Sequence, residues 1–407
     1  MRSFLAGLLL AFILPPSFTL AQATGEVEGI GFSNNYRPDC WTPMVVRLMP
    51  TTDKTDTFQL QVTQGDLDQD QILFTRTITL TGNTGGSGGR EQRFWMYFIP
   101  EPSQGGLPHT MQPGSTLKDL QSRLKVRLCT MGGKELVKLP ITSTITNLDP
   151  PVSQLTWGAP RGAKLILCIS DGISAPMWRE YQQKQNIIGV VEDAIFITVQ
   201  PKDLPESALG FQAVDHLVWL NASPPDPNNP VDEKKMRALQ EWVRQGGRLT
   251  ICQPADWQRT ISFGDLLPVS LEGVTDQNIL EPLATLATPK SAQSPARPPI
   301  GAYKIGLATQ KPGTLVEEWA TIKGQRFPYI VRSVYGLGAV TWVAQDLGDP
   351  GITKNLRTGW PFVWDSVFDW KNQTRIVTQQ TPDPEKLEYA QSGGVDFGRA
   401  LLGGVNL

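Results

Sequence analysis

Residues 213–252 read AVDHLVWLNASPPDPNNPVDEKKMRALQEWVRQGGRLTIC, and this stretch decides the fold class. His216 to Leu220 is a short apolar run with β-branched and aromatic residues and no helical period, as expected of a strand covered on both faces. Asn229-Pro230 supplies an N-cap and a proline at the first helical position, where its missing N–H costs nothing. Met236, Leu239, Trp242 and Val243 then share one helical face, with Glu233, Lys234, Arg237, Gln240 and Arg244 elsewhere. Gly246-Gly247 ends the helix in a left-handed conformation, and 248–252 returns as a second apolar strand. Strand, helix and strand in this order form a βαβ crossover, which predicts a parallel sheet.

Working outward, VRQGGRLTIC (243–252) resembles the approach to the nucleophile elbow of class I glutamine amidotransferase-like domains, in which a helix ending in glycines leads into an apolar strand that ends in Cys. VRSVYGLGAVTWVAQD (331–346) resembles the closing hairpin of such domains, where a Tyr-Gly-x-Gly turn joins two strands. The combination is similar to bacterial envelope proteins, best known from planctomycete-like bacteria, that place a β-sandwich before an amidotransferase-like domain. The resemblance covers roughly residues 24–370. It implies a flavodoxin-like α/β domain and membrane-spanning helices beyond the extracytoplasmic part.

The departures from active members fall on the chemistry. An active elbow needs small residues beside the Cys, whereas Cys252 is followed by Gln253-Pro254, and proline removes an N–H from the turn. A triad needs a His after the Cys, held by a carboxylate. The only two histidines, His109 and His216, both precede Cys252. The resemblance is therefore to a catalytically degenerate domain without a Cys-His-Glu triad, in which Cys252 is a buried structural thiol.

The start of the chain reads as a secretory signal peptide over residues 1–23. Arg2 precedes an apolar core at 4–14, and Ala21-Gln22-Ala23 fits a small-residue cleavage site. That core falls short of the roughly 20 residues a spanning helix needs. The formal net charge is −2, with no basic stripe, which argues against nucleic acid as a partner. Cys40, Cys129, Cys168 and Cys252 match no metal motif, although export would permit Cys40–Cys129 and Cys168–Cys252 bridges.

Residues 24–148 read as all β. Candidate strands at 26–32, 43–49, 58–63, 72–80, 93–99, 124–129 and 136–145 are separated by Gly-, Asn- and Asp-rich turns, which suggests an immunoglobulin-like sandwich. The 101–115 loop, rich in Pro and Gly, reads as a hairpin connection. Asp149-Pro150-Pro151 opens a stiff linker at 149–160. The α/β domain occupies 161–370, with strands at 163–170, 194–199, 329–335 and 339–344 and a helix at 175–185. An insertion at 257–300 ends in a Pro/Ser-rich segment that reads as a mobile loop. Trp360, Val363, Trp364, Val367 and Phe368 have helical spacing and suit packing on the sheet. Residues 371–407 read as a membrane-proximal linker in a truncated chain.

Ligands of open parallel sheets bind beyond the carboxyl ends of the strands. Asp171, Gly172, Gln253, Asp256 and Asp346 are the residues expected to collect there, as a ligand-binding cleft rather than a catalytic or metal centre. Ser170-Asp-Gly-Ile-Ser174 lacks the Asp-x-Ser-x-Ser pattern of metal-dependent adhesion sites. The glycine-rich 82–89 loop has no following Lys or helix to cradle phosphate, and Gly-x-Ser-x-Gly is absent. No cofactor is implied. The expectation is a non-catalytic, extracytoplasmic binding or structural protein of the cell envelope, whose partner is an envelope protein or a glycan. Membrane association would run through a C-terminal segment outside this chain. Two alternatives stay open: a hydrolase using the strand-end carboxylates or Cys252, and a carbohydrate-binding module stacking sugars on Trp257.

Overall fold

The structure is a computed structural model that describes residues 23–65, 70–82, 90–100, 123–141, 157–158, 164–171, 194–226, 228–288, 297–356 and 359–368. Outside these lie the leader, the 101–115 loop, the Pro-Pro linker start, most of the glycine-rich loop, the 175–185 helix, the Pro/Ser-rich segment at 289–296, His109, Gly172 and the residues from 369 on. The molecule is β-rich, with several sheets and two separate hydrophobic cores.

The first core lies between two antiparallel sheets. Its strands are β1 (Ala23–Ile30), β2 (Asn35–Tyr36), β3 (Thr42–Pro50), β4 (Asp56–Gly65), β5 (Gln71–Leu80), β6 (Gln92–Phe98), β7 (Leu124–Cys129) and β8 (Glu135–Leu139). One sheet runs β1-β3-β6 and the other β5-β4-β7-β8. Alternation along the strands sends Val27, Met44, Val46, Leu60, Val62, Val126 and Leu128 into the shared interior.

The second core surrounds a seven-stranded mixed sheet. After β9 (Trp157–Gly158), the chain forms β10 (Lys164–Ile169), β11 (Ala194–Val199), β12 (His216–Trp219), helix α1 (Pro230–Arg244) and β13 (Arg248–Cys252). Next come β14 (Val269–Ile279), α2 (Glu281–Ala287), β15 (Ile300–Gln310), β16 (Leu315–Ile322), β17 (Gln325–Tyr335), β18 (Gly338–Val343), α3 (Pro350–Leu356) and α4 (Trp360–Phe368). The sheet order is β11-β10-β12-β13-β18-β17-β16. Its first five strands are parallel, and β17 and β16 close it antiparallel.

The crossover predicted from 213–252 is present. Asn229 caps α1 by accepting the Val231 N–H at 3.0 Å, and Gly246 takes φ 122° beyond its end. The Tyr-Gly-x-Gly turn also has a physical cause. Gly336 sits at φ 66°, and a Cβ there would come within 2.4 Å of the Arg244 carbonyl oxygen. Trp360, Val363, Trp364, Val367 and Phe368 are all buried on the sheet, as their spacing predicts.

Ahead of its Pro/Ser-rich end, the insertion at 257–300 carries elements that the sequence reading left unassigned. Residues Trp257–Leu266 form a 3-10 segment, and β14 pairs with β15 in a long antiparallel ribbon. Strand β16 also went unread. The two disulfides that export would permit are absent, and all four thiols are free. Cys168 on β10 and Cys252 on β13 have β12 between them, a separation of about 10 Å that exceeds the roughly 7 Å reach of a bridge. Cys129 belongs to the first unit, with its Sγ 3.3 Å from Gln61 Oε1, whereas Cys40 packs against the second core.

The two units are joined by more than the connecting chain. Strand β2 pairs with β9, which docks the connecting chain itself on the first unit. Phe32 leaves the first unit to join the second core, its ring 6.2 Å from that of Phe211. Arg93 bonds Glu28 of its own unit and Asp203 of the other, and the Trp41 N–H donates to Gln212 Oε1 at 2.9 Å. No helix among the described residues is long and apolar enough to cross a membrane.

Candidate functional site

The sheet order places a switch between β10 and β12. In chain order β11 lies on the far side of β10 and β13 on the far side of β12, and the carboxyl ends of strands at such a switch are where open α/β sheets hold ligands. Ser170 and Asp171 leave β10 there, and Asn221 to Ser223 leave β12. Ser170 Oγ donates to Asn221 Oδ1 at 3.0 Å, and the Ser223 N–H donates to Asp171 Oδ2 at 3.3 Å. Arg259, on the 3-10 segment after β13, donates from Nη1 to Ser223 Oγ at 3.0 Å and from Nε to Asp256 Oδ2 at 2.7 Å. Asp171, Ser223, Arg259 and Asp256 thus form an exposed polar rim.

Of the residues expected at this cleft, Asp171 and Asp256 are brought together through Ser223 and Arg259, while Gly172 lies outside the described residues. Gln253 is not in the cleft, which corrects its assignment. It is 2 % exposed, accepts the Trp342 indole N–H at 3.3 Å and donates to the Pro254 carbonyl. The reason is β15, which crosses the ends of β13 and β18. The Gly306 N–H donates to the Ala344 carbonyl at 2.6 Å, and a Cβ on Gly306 would lie 2.7 Å from Gln253 Cγ. Trp257, weighed as a sugar platform, is half-buried at the start of the 3-10 segment.

Asp346 follows β18. Its Oδ1 accepts the Gly348 N–H at 2.8 Å. Burial pushes its carboxyl up to about 6; the Gly348 hydrogen bond opposes that shift and Asp349 adds to it. Cys252 is completely buried. Burial, and then the Asp346 charge, raise its thiol above the ordinary range against a hydrogen bond from the Leu347 N–H. His216 is at the other end of the sheet. Leu217 is level with Leu249, so His216 and Cys252 are offset by four residues on adjacent strands, about 13 Å at ~3.3 Å per residue. His216 Nε2 is 2.8 Å from Thr250 Oγ1, and its ring stands edge-on to Phe368. Burial, then Arg248 and Arg332, lower its pKa to about 3, so the imidazole is neutral.

Among the described residues no three His, Cys, Asp or Glu side chains converge as metal ligands, and the Arg259 guanidinium bonds the Asp256 carboxylate. Asn221, Ser223 and Arg259 were missed from sequence. The strand-end rule that singled out Asp171 applies equally to 221–223 after β12. Arg259 is signalled only by its three-residue spacing from Asp256.

No family model matches the chain, and no curated protein sequence matches it. Among solved structures it is similar to an exo-β-1,4-mannosidase from Opitutaceae bacterium strain TAV5, at 14 % identity over 51 % of this chain and 36 % of that one, with a TM-score of 0.30. A β-galactosidase from Bacillus circulans sp. alkalophilus gives 14 % identity over 48 % and 30 %, with a TM-score of 0.27. A β-galactosidase from Rahnella sp. R3 gives 12 % identity over 53 % and 32 %, with a TM-score of 0.29. The chain spans about a third of the length of these structures.

Proposed function

We propose that this chain is a non-catalytic binding or structural protein of the cell envelope, exported by its leader and held near a membrane by a segment outside the sequence. In this reading the two-sheet unit is an immunoglobulin-like sandwich. The second unit is a flavodoxin-like, amidotransferase-like domain that has lost its chemistry. The strand order supports that assignment. Taken in chain order, the five parallel strands run 2-1-3-4-5, the flavodoxin-like arrangement.

The observation that carries the functional half is the roof over Cys252. A nucleophile elbow works by exposing its sulfur at the carboxyl end of the sheet. Here β15 crosses that end, Gln253 fills the space beneath it, and no histidine follows Cys252. A thiol that is buried, neutral and about 13 Å along the sheet from the nearest described histidine has no imidazole to activate it. What remains solvent-facing is the polar rim of Asp171, Ser223, Asp256 and Arg259, suited to hydrogen-bonding a partner.

Two measurements on the mature protein test this. Assays with glutamine, p-nitrophenyl esters and p-nitrophenyl glycosides are expected to show no turnover. Sedimentation with purified cell-wall sacculi, or with detergent-solubilised envelope proteins, is expected to show saturable binding weakened in Arg259→Ala. Turnover abolished by Cys252→Ser would overturn the reading.

A further inference from the structure

The hairpin that joins β17 to β18 is apolar at its tip, although its backbone does not require it. Tyr335 pairs with Gly338, which leaves Gly336-Leu337 as a two-residue turn. Such turns need glycine where φ is positive and otherwise favour small polar residues. Gly336 meets the first demand at φ 66°, yet the other turn residue is leucine. Leu337 is 86 % exposed and Val334, beside the turn, is 80 % exposed. They are the two most exposed large apolar side chains among the described residues.

The tip is fixed in place and has an aromatic ring and a cation behind it. The Leu337 N–H donates to the Arg244 carbonyl at 2.8 Å, and the Ala339 N–H to the Gly247 carbonyl at 3.2 Å, so the turn is fastened to the end of α1. A Cβ on Gly338 would collide with the Val243 carbonyl. The Arg244 guanidinium lies over the Tyr335 ring, 5.7 Å from its centroid. Aliphatic tip, tyrosine and arginine follow the order of chemistry met on passing outward from acyl chains to lipid phosphates. Glu241, on the same turn of α1, is neutralised by Arg244 at 2.8 Å.

The route by which the chain leaves the second unit gives an independent indication. Arg332 on β17 donates to the carbonyl oxygens of Ser366 at 2.8 Å and Val367 at 3.0 Å, which holds the last turn of α4. Val334 is two residues further along β17 on the same face, about 7 Å at ~3.3 Å per residue. The pairings place His216, Arg248, Ala339 and Val334 level across the sheet, and the Phe368 ring is 4.7 Å from that of His216. The chain therefore leaves α4 at the end of the sheet where the apolar tip lies, and residues 369–407 follow.

We infer that the hairpin tip is a contact with the lipid surface: when the chain is held at a bilayer, Val334 and Leu337 enter the interface and turn this end of the sheet toward the membrane. The inference rests on the membrane-held reading proposed above. Two side chains alone give weak, reversible attachment, so the contact orients the protein and does not anchor it. The polar rim of Asp171, Ser223, Asp256 and Arg259 lies at the opposite end of the parallel strands. This orientation presents that rim away from the bilayer, toward its partner.

The mature protein, carrying a C-terminal histidine tag, would be bound to phosphatidylethanolamine–phosphatidylglycerol vesicles that contain a nickel-chelating lipid. In a Cys40→Ser background, a nitrobenzoxadiazole label is placed at Leu337→Cys, Val334→Cys or Ile261→Cys. Ile261 is the control, an exposed apolar residue on the 3-10 segment after β13, at the other end of the strands. Brominated lipids are expected to quench the labels at 337 and 334 at least about threefold more than the label at 261. Leu337→Asp should abolish the excess quenching at 334 and leave the urea midpoint unchanged, because residue 337 contacts α1 through its backbone N–H. Quenching no greater at 337 than at 261 would overturn the inference. So would a label at 337 that becomes buried without lipid as protein concentration rises, which would assign the tip to a second copy of the chain. The tether replaces the native attachment, so these outcomes judge the orientation alone. Absence of the untagged gene product from sedimented membranes would instead count against the membrane-held reading.

Discussion

Asp215 of the second unit holds Arg37 of the first at 2.5 Å, and the same carboxylate oxygen accepts the Leu165 N–H at 2.7 Å. One side chain therefore ties the start of a central strand to the neighbouring unit. Asp215→Ala is expected to destabilise by roughly 2–3 kcal/mol, because it strands a half-buried guanidinium and a strand N–H. Arg37→Ala should cost about 1 kcal/mol, with a coupling energy of about 1 kcal/mol in the double mutant. Urea unfolding of the four proteins measures this, and additive losses would show the contact to be energetically silent.

The thiols should differ sharply in reactivity. Cys40 is half-exposed, while Cys129, Cys168 and Cys252 are buried, and burial raises all four above their ordinary values. Iodoacetamide on native protein at pH 7.5, a setting of the assay, should label Cys40 first and Cys252 only after denaturation. Gly306→Val, whose side chain would collide with Gln253 and Trp342, should lift the ribbon and speed Cys252 labelling. Rapid native labelling of Cys252 in the parent protein would count against the roof described for β15.

Asp346 makes stability fall with rising pH. Its folded pKa is raised from 3.8 to about 6, so its contribution is complete below pH 3.8 and is lost as pH climbs to about 6. Asp346→Asn keeps an acceptor for the Gly348 N–H and removes the desolvated charge. The variant should exceed the parent at pH 7 by roughly 2 kcal/mol and match it in strong acid. Chemical denaturation at both ends of that window is the measurement.

His216 acts in the opposite sense. Its pKa is lowered from 6.5 to about 3, so its contribution is complete above pH 6.5 and is lost as pH falls toward 3. His216→Gln still offers Thr250 a partner and cannot become charged. It should cost about 1–2 kcal/mol at neutral pH and flatten the acid side of the stability curve. Parallel acid limbs in parent and variant would assign acid unfolding to other groups.

Much of this architecture was legible in the residues. The crossover at 213–252 could be read because its three signals, a β-branched run, a capped amphipathic face and a glycine stop, are local and agree. The first-unit strands could be read from alternation. Strand β14, VSLEGVTDQNI, could not, because it is half of a two-stranded ribbon and most of it faces solvent, so no apolar period marks it. Missing that ribbon is what misplaced Gln253: its position after β13 was right, but its burial depends on Gly306, more than fifty residues later. Asp171 and Asp256 were legible from the strand-end rule. Arg259, which links them, was not, because nothing local distinguishes it from any other exposed cation.

The place of β18 between β13 and β17 has a consequence for the order of assembly. As the polypeptide emerges amino end first, β10, β11, β12 and β13 can pair once Cys252 has emerged. The outer edge of β13 then waits for Val343, through the whole span that encodes the ribbon. During that interval the half-built sheet presents a bare apolar strand, open to pairing with any other nascent chain. The turn at Gly336, seated on Arg244 at the end of α1, brings β18 back beside its waiting partner and closes this window of vulnerability.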